Sequence, residues 1–124
     1  MKKDSRLYLF QILERIDRIQ KFTKGGKLVF LEDLVVQDAV IRNLEVIGEA
    51  AKRASAEYRE STPEIPWKGL ASLRDVLIHQ YEGVSLEEVW GVVEKDLPEI
   101  KKSMLNILPP LDQLERELSE SCEH

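Results

Sequence analysis

Four polar side chains of different chemistry interrupt an apolar run: Arg74, Asp75, His79 and Tyr81, within Arg74-Asp-Val-Leu-Ile-His-Gln-Tyr81, among Leu70, Leu73, Leu77 and Ile78. An imidazole titrates near neutral pH and can take or give a proton. A guanidinium offers a planar fork matched to phosphate oxygens. Cleavage of a phosphodiester by its neighbouring 2′-hydroxyl asks for a base, an acid for the departing 5′-oxygen and positive charge for a phosphorane-like transition state. That reaction needs no metal. On a helix Asp75 and His79, four apart, share a face, so the carboxylate can orient the imidazole and favour its protonated form. Arg74 and Tyr81, seven apart, also align. Arg74 and His79 are offset by roughly 140° and about 7.5 Å along the axis, so only an extended arginine reaches the imidazole.

His79 is the one internal histidine, and the other, His124, is the last residue and a poor candidate. A single imidazole is awkward for acid and base together, and a symmetric dimer joining two copies of the motif removes the shortage. Spacing alone leaves plainer readings open. His79 then packs as a core histidine, Arg74 snorkels at the surface, and Tyr81 is an aromatic at the edge of the core.

The elements that must position these residues are helical. The chain has 124 residues, is 43% hydrophobic and 33% charged, and suits one domain, residues 1–124, with a modest core. No apolar run approaches the roughly 20 residues that span a bilayer. The N-terminal stretch carries charges through its apolar residues and does not read as a signal peptide. Cys122 is the only cysteine, which removes an internal disulfide and a cysteine metal cluster, so a reducing cytoplasm is the expected location. The net charge of −5 is uneven, +5 over residues 1–30 and −7 over residues 82–124. An acidic whole argues against a protein that coats nucleic acid, which needs phosphate neutralisation, but allows a local basic cleft.

A first helix is predicted from Asp4 or Ser5 to about Phe22, with Leu9, Leu13 and Ile16 as its stripe and Phe10 and Ile12 alongside. Gly25-Gly26 stops it, and Lys27-Leu-Val-Phe30 is the one short stretch open to a strand reading. A long second helix is predicted from about Asp33 to Arg59 on Val36, Val40, Leu44, Ile47, Ala51 and Ala54, with Gly48 and Ala50 allowing a close neighbour. Two prolines make 61–66 a loop. A third helix starts near Trp67 and carries the motif to about Gly83. Ser85-Leu-Glu-Glu88 is a capping box for a fourth, interrupted at Pro98, which opens a fifth that ends before Pro109-Pro110. Residues 111–124 read as a short charged helix or tail. The expected architecture is an all-α bundle of four or five helices.

Val40-Ile-Arg-Asn-Leu-Glu-Val-Ile-Gly-Glu-Ala-Ala-Lys-Arg53, Pro63-Glu-Ile-Pro-Trp67, Arg74 to Tyr81, Val89-Trp90 and Asp96-Leu-Pro98 together resemble the HepT-like branch of the HEPN domains over about residues 5–108. The resemblance implies an antiparallel helical bundle that forms a homodimer, works without a cofactor and acts as a metal-independent ribonuclease toxin of a type II/VII-like toxin–antitoxin pair. It implies Arg74 as transition-state stabiliser, Asp75 as the polar neighbour and His79 as acid and base. Tyr81 matches the residue that a cognate nucleotidyltransferase antitoxin adenylylates. The chain departs from the pattern at Asp75, where asparagine is frequent, and a negative charge there does not welcome an RNA phosphate. Arg42, Asn43, Glu45 and Glu49 either support the cleft or form ion pairs that position helices. Trp67 and Trp90 read as core or dimer anchors, and Lys21, Lys24 and Lys27 as RNA guides or a solvated helix end. A reading from another class is a non-catalytic helical module that docks on a nucleotidyltransferase. A plain dimeric scaffold is the third.

Overall fold

The computed structural model describes residues 4–79, 85–108 and 116, the helical stretch 74–79 through its backbone alone. Among the described residues the chain is all-helical: α1 Ser5–Phe22, α2 Lys27–Glu32, α3 Leu34–Arg53, α4 Ala56–Ser61, α5 Trp67–His79, α6 Leu86–Gly91, a π-turn Val92–Asp96 and α7 Leu97–Ile107. No helix among them is long and apolar enough to cross a membrane. The expected extension of the motif helix to Gly83 and the charged segment 111–124 lie outside the described residues, save Arg116, which is helical.

Helix α1 begins where a cap is available. The Asp4 carboxylate accepts the Arg6 amide at 2.9 Å, satisfying one of the donors a helix start leaves over. Leu9, Ile12, Ile16 and Ile19 recur at helical spacing and are fully buried. They meet Val40, Leu44, Ile47 and Ala51 of α3, all buried likewise. Helix α3 packs against α1 and also against α5, and α7 returns onto α1. Gly48, Ala50 and Ala51 are buried on α3, and their small size lets the neighbours come close.

The structure decides three points of the sequence reading, one left open and two that differ. Lys27-Leu-Val-Phe30 is not a strand but the start of α2, entered through Gly26 at φ 91°. Phe30 is fully buried, and buried Gln37 donates its amide to the Phe30 and Leu31 carbonyls at 2.9 and 3.0 Å, closing the end of the short helix. The helix expected over 33–59 is two helices, because Ala54 is extended (φ −63°, ψ 139°). Ser55 caps α4 by accepting the Tyr58 amide, and its own amide donates to the Ser5 hydroxyl at 3.0 Å. The Arg59 guanidinium then donates to the Ala51 and Lys52 carbonyls at 2.8 and 2.7 Å, partners for groups that α3 leaves open by ending. These tertiary partners outweigh a local preference that would carry the helix on.

The third point is at Pro98, which does not interrupt the rod. The backbone stays helical from α6 through the π-turn into α7, with the Leu97 amide donating to the Val92 carbonyl five residues back. Proline lacks the amide and crowds the carbonyl four residues before it, and the widened turn accommodates both. Its expected place in a first turn holds.

Arg6 holds the Asp4 carboxyl below the usual carboxylate range, chiefly through a side-chain hydrogen bond. Because the folded value lies below the unfolded one, this stabilisation is present at neutral pH and lost as pH falls through the folded value. Asp4→Ala is expected to cost about 1 kcal/mol at pH 7, lowering the melting temperature by roughly 4 °C. Calorimetry across pH should show the gap from the unsubstituted chain closing below the ordinary carboxylate range.

Candidate active site

The motif helix is fixed at its start. Pro66 precedes α5, and its carbonyl accepts the Leu70 amide at 3.0 Å. The Trp67 ring is buried, its indole N–H donates to the Thr62 hydroxyl at 3.0 Å, and it stands edge-on to Tyr58 with centroids 6.0 Å apart. Thr62 in turn donates to the Tyr58 carbonyl at 2.8 Å. Burial holds the Tyr58 phenol above its ordinary range. Trp67 is therefore a core anchor, as one of the two readings has it. Trp90 is half-buried and stacks on Phe30 at 5.5 Å, with its indole N–H on Glu94.

Helix α5 runs unbroken through His79, so Arg74, Asp75 and His79 occupy one regular helix in the register drawn from the sequence. Asp75 and His79 stand one turn apart on it, and Arg74 keeps its roughly 140° offset from His79. Tyr81 lies outside the described residues. The surface that backs this helix is α3.

Residues Arg42, Asn43 and Glu49 of α3 are not gathered into one constellation. Arg42 is 71% exposed and pairs with Glu45 at 3.6 Å. Glu49 pairs with Arg53 at 2.7 Å, one turn on. Asn43 is buried; its amide donates to the Ala39 carbonyl at 2.7 Å and its oxygen accepts from Arg15 of α1 at 3.2 Å. It is a tie between α1 and α3. Lys27 is held by Glu87 at 2.7 Å, linking α2 to the first turn of α6.

Sequence reasoning missed a groove of about 320 Å³ beside the motif helix. Leu70 and Leu73 of α5 form one wall and Val92, Leu97 and Ile100 the other, with Asp96 and Glu99 also lining it. Only the pairing of distant helices creates it, and no local signal marks it. Among the described residues no group of three or more His, Cys, Asp or Glu side chains is placed to hold a metal ion.

Comparison with known proteins adds to this geometry. Residues 12–107 match the family described as "Ribonuclease HepT-like". A Methanocaldococcus jannaschii protein named "Gamma-glutamylcyclotransferase and putative RNase MJ0434" is 46% identical over 114 residues, 91% of this chain but 51% of that one. The chain thus spans about half the length of that relative. "Putative RNase MJ1216" of the same organism is 43% identical over 112 residues, 90% of this chain and 93% of its own. "Probable ribonuclease HepT" of Thermococcus cleftensis is 43% identical over 102 residues, covering 82% and 93%. No solved structure matches the chain.

The different surroundings of the α3 residues predict different costs. Arg42→Ala and Glu49→Ala break exposed pairs and should each stay within about 0.5 kcal/mol of the unsubstituted chain. Asn43→Ala removes a buried side chain and its part-buried hydrogen bond to Arg15 and should cost about 1–3 kcal/mol. Urea denaturation of the three variants checks this order.

Proposed function

The chain belongs to the HepT-like ribonuclease family, and we propose on that premise that it is a metal-independent endoribonuclease toxin that acts as a homodimer and is silenced by a nucleotidyltransferase antitoxin. The observation that carries this reading is the register of Arg74, Asp75 and His79 on one uninterrupted helix, inside the span that matches the family.

In this mechanism the neutral His79 imidazole of one copy takes the proton of the 2′-hydroxyl. The freed oxygen attacks phosphorus, the bond to the 5′-oxygen breaks, and the protonated His79 of the second copy gives that oxygen its proton. The products are a 2′,3′-cyclic phosphate and a 5′-hydroxyl. Arg74 meets the charge that builds on the phosphorane oxygens. Asp75, one turn before His79 on the helix, is the group that steadies the imidazolium. The same negative charge repels the RNA phosphate, so turnover is lower than asparagine there would allow.

Tyr81 is the switch. Its hydroxyl attacks the α-phosphorus of ATP held by the antitoxin, and pyrophosphate leaves. The adenylate brings a negative phosphodiester and a bulky nucleoside to the place meant for substrate phosphate, next to Arg74 and His79.

Purified protein is expected to cut RNA in the presence of EDTA and to leave the cyclic phosphate, with His79→Ala and Arg74→Ala each at least a hundredfold slower. Equal cutting by His79→Ala would overturn the mechanism. Inactivity of the unmodified chain across varied RNAs, with no growth arrest on expression, would instead favour a docking module without catalysis. After incubation with the partner and ATP, mass spectrometry should place one adenylate on Tyr81. Modification elsewhere would reject the switch.

A further inference from the structure

Five of the six large apolar side chains left exposed among the described residues lie within residues 22–35: Phe22, Leu28, Val29, Leu34 and Val35, at 43–78% exposure. Val29 leans on the turn between α1 and α2, where a Cβ on Gly25 would stand 3.0 Å from its side chain. Val29, Leu34 and Val35, with Glu32 and Asp33, also line a shallow hollow of about 490 Å³, room for an aromatic ring. Val29, Leu34 and Val35 share this hollow, and apolar exposure gathered in one place marks a contact surface.

The charge around it is divided. Lys21 and Lys24 flank Phe22 at one end, and Glu32 and Asp33 flank Leu34 at the other. Lys27 already pairs with Glu87, whereas Lys21, Lys24 and Glu32 carry no ion pair among the described residues. A partner of one charge sign would match one end and repel the other. A second copy turned by a twofold axis matches both.

We propose that this face docks a second copy of the chain about an axis near Val29. Phe22 of each copy enters the hollow of the other, and Lys21 and Lys24 of each meet Glu32 and Asp33 of its mate. The proposal deepens the homodimer reading above and rests on it for the number of copies. Lys27 ties α2, part of this face, to α6.

Sedimentation velocity on the full chain over a dilution series tests it, with circular dichroism to verify folding. The wild type is expected to be a dimer. Val35→Glu, at a position 78% exposed in one copy, should fold and weaken the dimer roughly a hundredfold, because each change counts twice across a twofold. Lys24→Glu and Glu32→Lys should each weaken it, and mixing the two should restore wild-type affinity, since every opposed pair is again of opposite sign. A dimer untouched by Val35→Glu, or a mixture no tighter than its parts, overturns this face and leaves the two-copy site standing. A wild-type chain that sediments as a monomer while cutting RNA overturns both.

Discussion

Helix α3 is covered on two sides at once, by α1 and by α5, and the position of the motif helix depends on that double contact. It works because large contact residues are followed along the helix by a run of small ones. Val40, Leu44 and Ile47 supply buried apolar surface, while Gly48, Ala50 and Ala51 let backbones approach. A larger side chain in that small-residue run would push a neighbour outward, and a tilt of α5 would carry Arg74 and His79 with it.

Polar ties then turn a close packing into a unique one. Asn43 joins α3 to Arg15 of α1, Thr62 holds the Trp67 indole, and Ser5 and Ser55 link the start of α1 to the start of α4. Each is buried or partly so, where an unpaired donor or acceptor would be costly, so each penalises a shifted register more than it rewards the native one. Helix α5 is thereby fixed at Trp67 and projects its motif from a rigid base. Phosphate chemistry needs that rigidity, since a guanidinium and an imidazole must meet one phosphorus within a fraction of an ångström.

The helices themselves were legible, because a buried stripe writes its period into the chain. Val40, Leu44, Ile47 and Ala51 stand where their spacing put them, and Asp4 and Ser85 cap where side-chain oxygens precede a helical run. In the first stripe Leu9, Ile12 and Ile16 are fully buried as read, Leu13 only packs against the core, and Ile19, fully buried one turn on, was not named. The breaks were illegible. Ala54 leaves the helix because Ser5 and Arg59, distant in sequence or across a turn, reward it for doing so. The rod runs on through Pro98 because a π-turn absorbs the missing amide. The apolar groove between α5 and the α6–α7 rod belongs to no single segment at all. For the site, the sequence put Arg74, Asp75 and His79 on one helix, and the backbone of α5 has them there. Asn43 was read as cleft support or a helix-positioning residue, and its burial against Arg15 favours the second role.

A base that has taken a proton and an acid that has yet to give one cannot be the same imidazole at the same instant, and each chain brings one internal histidine. The proposed chemistry therefore stands on two copies sharing a cleft. Dimers made of one wild-type and one His79→Ala subunit, isolated by distinct tags and assayed on RNA, test this most directly. The account predicts less than about a tenth of wild-type turnover, because each shared site loses its acid or its base. Mixed dimers that keep half the wild-type rate would mean that each subunit cuts alone, and would contradict it.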